Sequence, residues 1–217
     1  MAKEQKTNLI KIGVILPLTA IGTDYGNKMK TGLELALKKI ETEIPSNNKI
    51  KLIYEDEQAN PAMAVNAINK LINIDEVKII IGPAFSDSVL AVTPIAEKNK
   101  VVLIAPASGA DQIKFAGDYI FRNRVSASAI GEYTAEFAFK NRKTREISIL
   151  FQNSSNMIDY KNAFINKFQE LGGKVLFEST FERGEKDFRT QLIKLKESNS
   201  ANAFITGHVN ELGFILK

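Results

Sequence analysis

The stretch "IIIGPAFSDS", residues 79–88, runs three isoleucines into Gly82 and Pro83, and then into Ser86, Asp87 and Ser88 at the start of helix-like spacing. A continuous β-branched run reads as a strand buried on both faces. Hydroxyl side chains in the first turn of the next helix stand where unpaired backbone N–H groups and the positive end of the helix dipole favour an anion. The chemistry here is therefore either recognition of an anion or simple capping, with Ser86 as the N-cap residue and Ser88 structural. These residues alone leave both readings open.

Other chemistries are excluded more sharply. There is no cysteine, so thiolate metal sites and disulfide frameworks are ruled out, and the single histidine, His208, removes most other metal and triad chemistries. None of the 13 glycines forms a G-x-G-x-x-G or G-x-x-x-x-G-K-[ST] pattern, which removes the usual marker of dinucleotide or P-loop binding. No metal and no cofactor is expected. A hydrolase or transferase on this chain lacks a nucleophile and base, so a non-enzymatic role is expected. Asp56 and Glu57 follow a strand and could be paired carboxylates, but without partnered geometry they read as a solvated loop. "ERGEKDFR" reads as a loop and a capped helix start, with Asp187 in the first turn. The formal net charge of +4 comes from 29 basic and 25 acidic residues spread along the chain; without basic clusters, no nucleic-acid partner is expected.

A chain of 217 residues that are 44% hydrophobic and 25% charged suffices for one large or two small globular domains. Short apolar strands alternate with amphipathic helices from "IKIGVIL" to "KVVLIAP", with a fifth strand at "YIFRN". This predicts an α/β fold with a doubly wound parallel sheet. In the first helix Leu33, Ala36, Leu37 and Ile40 recur at core spacing, whereas Lys30, Glu34, Lys38 and Glu41 face water. After Arg122 the alternation restarts with "SAIGEYTAEFAFKN" and "EISILFQ" and runs to "NAFITG" and a helix beginning at Glu211. Two lobes are predicted, 1–122 and 123–217, the second incomplete.

In such sheets ligands sit beyond the carboxyl ends of the strands. There the sequence reads "PLTAIGTDYG", "EDEQANP", "GPAFSDS" and "APASGAD", small and hydroxyl residues with one aromatic, Tyr25, which suits a recognition surface better than a catalytic one. At this point the chain resembles a family. "IKIGVILPLTAIGTDYGNKMKTGLELAL", "DEQANPAMAVNAINKLI", "IIIGPAFSDSVLAVTPIAEKNKVVLIAPASGAD", "YIFRN" and "GEKDFRTQLIKLKESNSANAFITG" look like the extracellular solute-binding proteins of the leucine/isoleucine/valine-binding type, with the type I periplasmic-binding fold. The resemblance runs from about Ile10 onward, in order.

It implies two hinged α/β lobes that capture a small polar ligand, an amino acid or a related carboxylate or amide, and deliver it to the membrane subunits of an ABC transporter. It places the aromatic contact on Tyr25, the carboxylate-holding serine on Ser86, and a small-residue carboxylate loop on Ala107, Ser108 and Gly109. A threonine or serine is common in the family where Gly109 stands, so that hydroxyl is lost or supplied by Ser108. In the second lobe Asn156 and Met157 stand where the family has Tyr-Gly, and His208 falls at a ligand-facing position or is a surface histidine. Ala127 replaces the aspartate that pairs with the ligand ammonium, which argues for a carboxylate or amide ligand at least as readily as for a branched-chain amino acid.

The start "MAKEQKTNLIKIGVIL" lacks a signal peptide. Either the protein is cytoplasmic, or a leader has been removed and it is periplasmic or anchored at the cell surface, as the resemblance implies. A ligand-sensing regulatory domain of the same fold is the alternative function.

Overall fold

The isoleucine run does form a strand, and its neighbours follow the predicted alternation. The computed structural model describes residues 8–217; the charged start read for a leader lies partly outside them, in residues 1–7. In chain order the elements are β1 (Asn8–Leu16), α1 (Thr23–Glu43), β2 (Asn48–Asp56), α2 (Pro61–Asn73), β3 (Ile79–Ile81), α3 (Ser86–Lys98), β4 (Val102–Ala105), a 3-10 turn (Asp111–Phe115) and β5 (Ile120–Arg122). Then come α4 (Ala127–Glu136), which continues into a π-helical turn (Phe137–Asn141), β6 (Glu146–Gln152), α5 (Ser155–Glu170), β7 (Lys174–Phe181), α6 (Arg189–Glu197), β8 (Ala203–Thr206) and α7 (Val209–Ile215).

The chain divides into two compact units. One takes the residues up to Ser108 together with Gln112–Arg124; the other takes Gly109–Asp111 together with Val125–Lys217. The first holds a five-stranded sheet in the order β2-β1-β3-β4-β5, every neighbouring pair parallel. The second holds a parallel three-stranded sheet in the order β7-β6-β8. In the first sheet the order reverses direction at β1, which lies between β2 and β3. At such a switch point the connections leave toward opposite faces and a crevice opens at the carboxyl ends of the strands.

Burial explains the strand patterns. β6 is buried on both faces: Ile147, Ile149 and Phe151 pack against Phe164 and Phe168, and Leu150 packs with Phe181, Phe188 and Ile215 on the other side. Phe164 stacks on Phe204 at 4.2 Å and on Phe168 at 5.5 Å between ring centroids. In the first unit Val14, Leu16, Ala84 and Phe85 form a cluster with Met29, Leu33, Leu52 and Tyr54 against it.

Three expectations are corrected. Ala36 and Ile40 of α1 are exposed, and Leu33 and Leu37 only half-buried: the helix rests through Met29 and Leu33 on a cluster shared by β1 and β2, so its buried stripe is narrower than its apolar one. Asp187 is not in the first turn of α6; it precedes the N-cap residue Phe188 and accepts hydrogen bonds from the backbone and guanidinium of Arg189. The last helix starts at Val209, before Glu211. Among the described residues no helix is long and apolar enough to cross a membrane.

Candidate functional site

The connection from β3 to α3 owes its shape to one glycine. Gly82 has φ +105°, and a Cβ there would lie 2.0 Å from the carbonyl oxygen of Ile15 on β1, so only glycine allows the chain to turn so close to the neighbouring strand. Its N–H donates to the carbonyl of Ile104 on β4 at 2.9 Å. The chain then passes through Pro83 and Ala84 to Phe85, which is extended and serves as the N-cap residue without any side-chain cap. Ser86 is therefore the first residue of α3, and the plain N-cap reading of it is corrected. It is buried, and Ser88 is completely buried with no partner for its hydroxyl.

Around this turn the first unit gathers several predicted residues. Tyr25, in the first turn of α1, is 41% exposed and stacks on Phe85 with ring centroids 6.0 Å apart. The buried Ser108 donates its hydroxyl proton to the carbonyl of Ala84 at 3.2 Å, tying the loop after β4 to the one after β3. The carbonyl of Ala107 accepts from the Arg124 guanidinium at 2.7 Å.

Asp56 and Glu57 do not form a solvated loop. Glu57 is wholly buried; its carboxylate accepts from the N–H of Ala84 at 3.2 Å, and its own N–H donates to the carbonyl of Leu16. It thus supports the loop of Ser86 from beneath. Asp56 accepts from the amides of Leu18 and Gln58 at 2.8 and 3.1 Å and from the amide and hydroxyl of Thr19. Partial burial works to raise its pKa, but the bonds from the Thr19 hydroxyl and these amides prevail and hold it below the ordinary aspartate value. The carboxylate thereby pins the loop from β1 toward Tyr25. Sequence reasoning missed both roles, because a carboxylate after a strand carries no mark of which backbone will cover it.

The second unit contains the other predicted residues. Gly109 is buried, and its carbonyl accepts from the N–H of Ala127, the first residue of α4 and itself buried. Asn156 lies in the first turn of α5, with its side-chain oxygen directed at Gly109. His208 is the N-cap residue of α7, half-buried, and its carbonyl accepts from the N–H of Leu212. Gly109 and Asn156 are thus brought together, while His208 follows the carboxyl end of β8 in the same unit.

Each of the two α/β units is built on a parallel sheet, and the residues just described lie beyond the carboxyl ends of its strands or at the starts of the helices that follow. The periplasmic binding protein model matches residues 9–213, and the chain belongs to that family. It is 27% identical over 210 residues to the Leu/Ile/Val-binding protein of Escherichia coli strain K12, an alignment covering 96% of this chain and 57% of that protein. The crystal structure of a leucine-binding protein, LivK, from Thermotoga maritima superposes with a TM-score of 0.88 at 31% identity, covering 95% of this chain and 58% of that one. LivJ of Streptococcus pneumoniae in complex with isoleucine gives a TM-score of 0.85 at 25% identity, with 96% and 60% covered. The chain therefore spans 57–60% of the length of these relatives.

Proposed function

We propose that this chain belongs to a solute-binding receptor that captures a small polar ligand, an amino acid or a related carboxylate or amide, and delivers it to the membrane subunits of an ABC transporter, from the periplasm or the cell surface. The observation that carries this reading is the convergence at the switch point of the first sheet. Ser86 opens α3 there, its loop is supported by Glu57 and Ser108, and the Tyr25–Phe85 pair stands beside it. The amino end of a thirteen-residue helix favours a carboxylate. A serine hydroxyl adds a charge-assisted hydrogen bond, and Tyr25 supplies apolar cover. The relative that holds isoleucine supports a ligand of this size.

Ser86→Ala in the full-length protein tests the reading by calorimetry against a panel of amino acids and small carboxylates. Loss of one hydrogen bond to a charged group weakens binding by about 1.5–3 kcal/mol, roughly tenfold to a hundredfold. Unchanged affinity would leave Ser86 a structural residue and overturn the cradle.

A further inference from the structure

The first sheet ends at β2, whose outer side is the longest open strand edge among the described residues. β2 runs nine residues in unbroken register with β1, and the strand order places no neighbour beyond it. The other edges are blunted: β5 and β8 have three and four residues, and the ladder of β7 is interrupted by a register shift. At one end of β2 the N–H of Asn8 donates to the carbonyl of Asn47, and at the other the N–H of Glu57 donates to that of Leu16. Between these bonds the odd-numbered residues of β2 turn their backbone groups to β1, so Ile50, Leu52 and Tyr54 turn theirs outward. Side chains alternate as well. Leu52 and Tyr54 lie on the face of Met29 and Leu33 of α1. Lys49 and Lys51 are exposed on the opposite face, which they share with Glu55, itself bonded to Lys70 of α2.

We propose that this edge joins two copies of the chain: β2 pairs antiparallel with its symmetry mate, Leu52 opposite Leu52, and the two first sheets become one. In this register Ile50 faces Tyr54 as a hydrogen-bonded pair, so the outward backbone groups of each strand meet. Lys49 faces Glu55 in a non-hydrogen-bonded pair, where side chains stand closest, and the two-fold makes that contact twice. The Glu55 carboxylate has two oxygens and serves the partner's Lys49 beside its own Lys70. Opposite charges, and a β-branched residue against an aromatic one, are favourable cross-strand pairs. A second copy is the occupant because β2 carries its bases, Lys49 and Lys51, near one end and its acids, Glu55 and Asp56, at the other. An antiparallel copy therefore complements it along its whole length. Sliding each strand by one residue either opposes Lys51 with Lys51 or carries Lys49 past the end of the facing strand, so charge and length fix the register. The contact lies within the first unit and does not depend on the receptor reading.

Sedimentation velocity on the full-length protein tests the proposal. Wild type should dimerise reversibly at concentrations below about 1 mM. Lys49→Glu and Glu55→Lys should each weaken the dimer about tenfold or more, because each sets like charges opposite one another twice, and the two substitutions together should restore it. Hydrogen exchange gives a readout that needs no variant. The amides of Ile50, Leu52 and Tyr54 should slow as concentration rises, whereas those of Lys51 and Ile53, already turned to β1, should not. A protein still monomeric at about 1 mM, a dimer indifferent to both charge reversals, or a double variant no tighter than the single ones overturns the proposal. So does a dimer in which the Ile50, Leu52 and Tyr54 amides exchange as they do in the monomer, since it is then held by another face.

Discussion

Ser86 and Ser88 are two positions apart, yet they do different things. Ser86 stands at the mouth of α3, whereas Ser88 is sealed within the core of the unit with an unpartnered hydroxyl. The contrast follows from Phe85 taking the N-cap place, which rotates Ser86 to the helix start and Ser88 inward. Asp56 gives the residue scale its pH dependence. Because its folded pKa lies below the ordinary aspartate value, its contribution is complete above the unfolded value, about 3.9, and is lost as pH falls through the folded one. In an NMR titration the amide resonances of Leu18 and Thr19 should therefore move with a midpoint below that of an unperturbed aspartate, and Asp56→Asn should erase the movement. A midpoint at or above the ordinary value would show that these bonds do not hold the carboxylate. Of the residues proposed for the site, Tyr25 and Ser86 had places after strands that were legible in the sequence. Glu57 was not, since its burial is imposed by Ala84, a residue 27 positions away.

The helices are punctuated in different ways. α2 begins at Asn60, whose side chain accepts from the amides of Ala62 and Met63 at 2.8 and 3.4 Å, with Pro61 following. α4 begins at Ser126, which accepts from the amide of Ala129. α3 has no such side-chain cap. Asn60→Ala should accordingly cost about 1 kcal/mol in denaturant unfolding, whereas replacement of Phe85 would be felt through packing and its stack with Tyr25. A cost near zero for Asn60→Ala would mean that water serves α2 equally well. Most element spans were legible because β-branched runs and helical spacing alternate so regularly. The core face of α1 was not: its apolar stripe includes Ala36 and Ile40, but only contacts with β1 and β2 decide how much of that stripe is covered.

At the scale of the molecule each unit has its own core and its own parallel sheet. Phe164 is fully buried and stacked on both Phe168 and Phe204, so Phe164→Ala should destabilise the second unit by about 3–5 kcal/mol. Hydrogen exchange should register this in β6 and β8 and leave β1 and β3 protected; equal loss in both sheets would show that the two cores unfold as one cooperative block.

The division of the chain also has a consequence for anyone who would cut it. Gly109–Asp111 belong to the second unit although β5, which follows them, returns to the first. The chain therefore changes units after Ser108, after Asp111 and after Arg124. A fragment ending at Ser108 would lack β5, the strand that covers the edge of β4. One ending at Arg124 would keep β5 but carry a tripeptide bereft of its anchors, namely the Ala127 N–H on the Gly109 carbonyl, the Ser128 N–H on the Asp111 carboxylate and the Asp159 carboxylate on the Asp111 N–H. A single scission after Arg124 therefore releases every residue of the first unit but strips Gly109–Asp111 from the second, so separation by protease or by subcloning leaves a wound on one piece or the other.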